Sequence, residues 1–203
     1  MQYLESIAEL EELYGACSEA SLAKEVDYLL PSYKRFIEAS PFVAMATVGP
    51  EGMDCSPRGD AGQVVTIEND RCLLLPDRRG NNRIDSLRNI LMDDRISLMF
   101  MVPGSNSVLR VNGRGRICAE PQVLERFCVQ GKLPRSVLVV AIEAVYFQCA
   151  RAVMRAQLWD PKGFVGKGDL PSAGDMLREA TQGAFDGASY DAAWPARAKE
   201  SMW

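Results

Sequence analysis

The chain has 203 residues, 47% hydrophobic and 25% charged, with 16 Gly and 11 Pro, a globular composition that excludes disorder, collagen and low-complexity scaffolds. Its formal net charge of -4 argues against a duplex nucleic-acid binder, which needs a basic footprint. No histidine is present, which removes Ser-His-Asp and Cys-His nucleophile systems, histidine general bases, histidine-bearing zinc sites and a histidine haem ligand together.

Residues 2–14 read as an amphipathic helix. Leu4, Ile7, Ala8, Leu10 and Leu13 share a broad face, Glu5, Glu9, Glu11 and Glu12 lie largely outside it, and Gly15 ends it. This acidic start lacks the basic, then apolar, pattern of a secretory leader. A second helix is expected over 31–39, entered through Pro31. The period then changes to that of strands. Residues 42–48 and 53–57 form one hairpin about a turn at 49–52, and 64–67 and 71–75 form another about 68–70. Helical spacing returns at Ile84, Leu87, Ile90 and Leu91. Strands 96–102 and 108–117 flank a Pro103-Gly104 turn, 121–130 is helical, and 137–148 is the last long strand. Beyond Arg151 the pattern is helix and loop, with no clear period in the last twenty residues.

Six or seven strands joined by short turns, with helices at both ends and between hairpins, predict a mainly β fold with α elements. The expected form is a closed antiparallel barrel in one domain spanning 1–203. The six cysteines include no C-x-x-C pair, so they read as buried free thiols in a reducing compartment. No apolar run approaches the roughly 20 residues that span a bilayer. A cytoplasmic protein without membrane or nucleic-acid partners is expected.

Three segments carry candidate chemistry. On strand 108–117, Arg110, Asn112, Arg114 and Arg116 share one face, while Leu109, Val111, Gly113, Gly115 and Ile117 share the other. That arginine face is either solvated or bound to an anion. In residues 73–91, a strand runs through Pro76, Asp77, Arg78, Arg79 and Gly80 into a helix starting near Asn81 or Asn82. A helix N-terminus beside Arg78, Arg79 and Arg83 is a phosphate site in form. The alternative is a capped helix with Asp77 and Asp85 neutralising two of the arginines. Neither a P-loop nor a dinucleotide fingerprint is present. Third, in residues 54–60 Arg58 and Asp60 follow Pro57, which places this strand at an edge or bulge. The pair is either ligand-facing or a surface ion pair of little energetic worth.

In order and spacing, the runs PFVAMAT, CSPRGD, LLLPDRRGNNRIDSLRNIL, LMFMVPG, LRVNGRGRI and LWDP resemble the pyridoxamine 5'-phosphate oxidase-like, FMN-binding split-barrel family. The likeness is to its FMN-dependent branch, over about residues 25–171. The resemblance implies a six-stranded antiparallel split barrel with flanking helices, working as a homodimer with FMN at the interface. It implies an FMN-dependent oxidoreductase acting on a small molecule or electron donor. Ser56, Arg58 and Asp60 would lie along the flavin, with Arg58 near the ring or the phosphate. The segment with Pro76, Asp77, Arg78 and Ser86 would hold the phosphate and lower ribityl chain, with Asn81, Asn82 and Arg83 on the phosphate. Arg110 and Asn112 would reach the same cleft, and Arg155 and Trp159 would reach across the interface. The missing histidine and unmatched C-terminus depart from pyridoxamine phosphate oxidases proper, so vitamin B6 synthesis is not expected. Gln148-Cys149-Ala150-Arg151 stands where close relatives carry His-Cys-Ala-Lys. A deazaflavin-dependent reductase and a non-catalytic flavin- or anion-binding barrel are the alternatives.

Overall fold

The computed structural model describes residues 1, 3–166 and 168–202. The chain enters through α1 (Ile7–Tyr14), α2 (Glu19–Ala23) and α3 (Pro31–Glu38). It then forms β1 (Phe42–Gly49), β2 (Gly52–Gly59), β3 (Thr66–Asn69) and β4 (Cys72–Asp77). Next come α4 (Asp85–Met92), β5 (Arg95–Met101), β6 (Val108–Cys118), α5 (Pro121–Glu125) and β7 (Ser136–Gln148). The chain ends in α6 (Arg151–Arg155), a 3-10 turn (Pro161–Gly163), α7 (Ala173–Ala180) and α8 (Gly187–Ser201).

All pairings are antiparallel, in one seven-stranded sheet of order β2-β1-β5-β6-β7-β4-β3. Alternation builds its interior. Val43 and Met45 of β1, Leu98 and Phe100 of β5, Leu109 and Val111 of β6, and Val140 of β7 are all buried, because every second side chain of a strand points to the same face. Tyr33 and Ile37 of α3 and Ile90 of α4 complete this core from outside the sheet. At Gly113 a Cβ would lie 2.0 Å from the Ala141 carbonyl oxygen. Only glycine permits that approach, where a bulge shifts the β6–β7 register.

The mainly β, antiparallel split-barrel architecture is present, but the expected closure is not. Among the described residues there are seven strands rather than six, and no ladder joins the edge strands β2 and β3. Pro57 removes a donor from β2, and β3 is only four residues long, so neither edge sustains a further ladder. Side chains instead join β2 to the end of β4, the strand next to β3. Arg58 Nη1 donates to Asp77 Oδ1 at 2.6 Å, and Arg78 Nε donates to Asp60 Oδ2 at 2.8 Å. Arg58 and Asp60 therefore do not pair with each other.

Several boundaries move. The first helix begins at Ile7, where the Ser6 hydroxyl accepts from the Glu9 amide, and Gly15 ends it at φ 69°. Residue 2 of the expected helix lies outside the described residues. The helix expected over 121–130 stops at Glu125. The C-terminal region, expected to lack a period, contains the 15-residue α8, and residue 203 lies outside the described residues. The cysteines are free but not buried. Cys17, Cys55, Cys128 and Cys149 are exposed, and Cys72 and Cys118 are half-buried. Cys55 illustrates why, since it falls on the outward register of edge strand β2. Among the described residues, no helix is long and apolar enough to cross a membrane.

Candidate functional site

The seam between β2 and β4, closed at one end by α4, forms the candidate site. Strand alternation turns Asp54, Ser56 and Arg58 to the same, half-buried side of β2. Beside them, Leu75 and Pro76 are buried at the end of β4, which then opens into the Arg78-Arg79-Gly80 loop. The cleft there has a volume of about 200 Å³. Arg58, Arg78, Arg79 and Arg135 face a single carboxylate, Asp77, along its wall. An adjoining hollow of about 190 Å³ is lined by Asp60 and Pro76 and shares Arg58, Arg78, Arg79 and Gly80.

Arg58 is fixed from two sides. Its Nη1 pairs with Asp77, their side chains being 23% and 19% exposed, and its Nη2 approaches Ser86 Oγ at 3.4 Å. Its Nε is buried and has no hydrogen-bond partner among the described residues. A guanidinium N–H in that condition is an unmet donor, costly unless an acceptor reaches it. Arg78 is anchored by Asp60 and by the Phe127 carbonyl, at 2.6 Å from Nη1.

The loop entering α4 departs from the expected asparagine cap. Asn81 Oδ1 accepts from the Arg83 amide, a local turn, and the helix begins only at Asp85. Asn82 and Ile84 both take positive φ, 62° and 54°. For a β-branched residue such as Ile84 that conformation is a true outlier. The Ile84 side chain supplies no cap hydrogen bond to α4. Asn82 is held by Arg135, whose Nη1 donates to Asn82 Oδ1 at 2.9 Å.

Of the residues expected at the site, Arg58, Asp77, Arg78, Asn81 and Asn82 line the main cleft, and Asp60 and Pro76 line the adjoining hollow. Ser56 and Ser86 hydrogen-bond one another at 3.0 Å behind Arg58. Arg83 is highly exposed and pairs with Asp85 at 2.8 Å. Arg110 and Asn112 lie elsewhere in this chain. Arg110 stacks over Tyr146 at 5.2 Å, and Asn112 accepts from Ser97 at 2.8 Å. Asn112 lines a separate cleft of about 290 Å³, with Met53, Arg114 and Glu143 among its walls. Arg114 pairs there with Asp94 and Glu143, which hold its guanidinium even more firmly protonated than usual. Arg155 is exposed, and Trp159 Nε1 donates to the Ser105 carbonyl of the same chain at 2.8 Å.

Sequence reasoning missed Arg135 and Asp54. Arg135 is 53 positions from Asn82, and nothing local marks it. Asp54 opens the candidate segment 54–60, and its alternation with Ser56 and Arg58 was a usable signal.

The cleft as built suits a phosphate monoester. Guanidiniums supply charge and forked donors, the loop supplies backbone at close quarters, and an eight-residue helix starts beside it. Among the described residues, no cluster of His, Cys, Asp or Glu could hold a metal ion.

A family model described as pyridoxamine 5'-phosphate oxidase matches residues 29–149. No curated protein matches the chain. Among solved structures, HupZ of Group A Streptococcus is 16% identical over 58% of this chain and 91% of its own, with a TM-score of 0.48. General stress protein 26 of Bacillus anthracis is 14% identical over 56% of this chain and 88% of its own, with a TM-score of 0.42. Protein Atu2129 of Agrobacterium tumefaciens, of unknown function, is 21% identical over 56% of this chain and 53% of its own, with a TM-score of 0.43.

Proposed function

The chain belongs to the pyridoxamine 5'-phosphate oxidase family, and from that premise we propose that it is an FMN-binding oxidoreductase acting on a small molecule. The observation that carries the reading is the Arg58 cleft. It gathers four guanidiniums about one carboxylate. Asp77, Asp60 and Asn82 hold Arg58, Arg78 and Arg135 in place, while the buried Arg58 Nε has no hydrogen-bond partner among the described residues and needs an acceptor. The residues present therefore fit the phosphate end of the cofactor.

Arg58, Arg79 and the Gly80-Asn81-Asn82 backbone would hold the phosphate. Arg78 and Arg135 brace the loop through Phe127, Asp60 and Asn82. Bound FMN supplies the electron and hydride transfer, so no side-chain nucleophile is required. That agrees with a chain lacking histidine. The protein's part is to orient the flavin and to place positive charge near it.

A second copy of the chain completes the proposal, with FMN at the interface. Support comes from α1 and its approach, where Leu4, Ile7, Leu10 and Leu13 are 45% to 74% exposed, an apolar stripe that water disfavours.

Titrating ligand-free protein with FMN tests the assignment. Arg58→Ala is expected to weaken FMN binding by at least about tenfold, the worth of a hydrogen bond to a charged group. Unchanged FMN affinity in that variant would contradict it.

A further inference from the structure

Behind Arg58 lies a side-chain network that the cofactor assignment does not explain. Ser86, the second residue of α4, is 3% exposed. Its hydroxyl donates to Asp54 Oδ2, is hydrogen-bonded to Ser56 Oγ at 3.0 Å and meets Arg58 Nη2 at 3.4 Å. A serine hydroxyl has one hydrogen to donate and two lone pairs to accept with. With its hydrogen on Asp54, both other contacts are accepted, from Ser56 and from Arg58. The Ser86 side chain has then no capacity left for a ligand.

We propose that Asp54 and Ser86 are positioning residues that hold Arg58 for a phosphate monoester, so that this pair sets the preference of the cleft for phosphorylated over unphosphorylated flavin. The proposal rests on the FMN reading and corrects Ser86 from a cofactor contact to a support. Asp54 fixes the direction of the Ser86 hydrogen. That direction turns a lone pair to Arg58 Nη2, while Asp77 holds Nη1. The guanidinium plane is thereby set from both ends, and Nε is left without a hydrogen-bond partner among the described residues. Without Asp54 the Ser86 hydrogen is free to turn to Ser56 Oγ, and the lone pair facing Arg58 is no longer fixed in direction.

The test compares FMN, riboflavin and inorganic phosphate as separate probes of ligand-free protein. Wild type is expected to bind FMN more tightly than riboflavin. Ser86→Ala and Asp54→Ala are expected to lower FMN affinity by about tenfold and leave riboflavin affinity within about twofold. Asp54→Asn keeps an acceptor oxygen for the Ser86 hydroxyl and is expected to restore most of the preference. A purely structural role would weaken both flavins together, and that outcome, or variants that keep the full preference, overturns the proposal. If Ser86→Ala fails to fold, the Asp54 pair of variants decides alone. If wild type binds no FMN, the FMN reading fails and inorganic phosphate becomes the probe. Phosphate binding lost in Asp54→Ala and retained in Asp54→Asn would still uphold the positioning role. Wild type that binds neither FMN nor phosphate overturns both.

Discussion

Ile84 occupies a backbone conformation that its own chemistry disfavours. A β-branched residue at φ 54° crowds its Cβ against the following carbonyl, at about 1–2 kcal/mol. The side chain is 46% exposed, so packing does not account for the choice. Such strain persists where a loop must point its backbone in a set direction, here from Gly80 into α4. Ile84→Asn, which tolerates the left-handed region, is expected to raise Tm by about 2–4 °C in a chain of this size. Thermal unfolding checks this, and an unchanged or lower Tm would show that the strain lies elsewhere. The same loop shows why neither asparagine caps α4. Asn81 and Asn82 are good caps by preference, yet Asn81 closes a local turn on Arg83 and Asn82 is held by Arg135. A distant arginine competes for the asparagine, and no local pattern reveals it.

At the scale of elements, the strands were the legible part and the couplings between elements were not. Alternation on β6 separates Arg110, Asn112, Arg114 and Arg116 from the buried Leu109 and Val111, as period two requires. Pro57 correctly marked β2 as an edge. The seam was illegible because its ion pairs cross. Arg58 takes Asp77 and Arg78 takes Asp60, 18 to 19 positions away, while the nearer pairing of Arg58 with Asp60 looked equally good. The α7–α8 hairpin was hidden for the same reason. Gly174 and Gly187 touch backbone to backbone, and Asp191 accepts from Ser172 and the Gly174 amide, contacts with no periodic trace.

The link between α4 and β5 gives a pH prediction. Arg95 grips the Asp93 carboxylate through its side chain and its backbone amide, which holds the Asp93 pKa down at about 2. The folded value lies below the ordinary 3.8, so the unfolded chain binds the proton first. The contribution of this pair is therefore complete above about pH 4 and is lost as pH falls toward 2. A carboxyl NMR titration is expected to place the Asp93 midpoint near 2. A midpoint near 4 would show that the Arg95 grip does not exist in solution.

At the scale of the whole molecule, the exposed N-terminal apolar stripe and the exposed Trp194 and Met202 of the C-terminal region describe a chain with surface to cover. A second copy is the proposed cover. Light scattering is expected to return twice the 22.4 kDa chain mass, and Ile7→Glu with Leu10→Glu is expected to shift that mass toward one chain. A mass of 22.4 kDa for wild type would remove the dimer from the proposal and leave the Arg58 cleft within a single chain.

The central claim is that the arginine-lined seam holds FMN. The most direct measurement is the visible absorption spectrum of the purified protein, with mass analysis of whatever heat releases. A yellow protein releasing FMN at about one per chain is the predicted result. A colourless protein that takes up no added FMN would contradict the claim and leave the cleft as an anion site without a flavin.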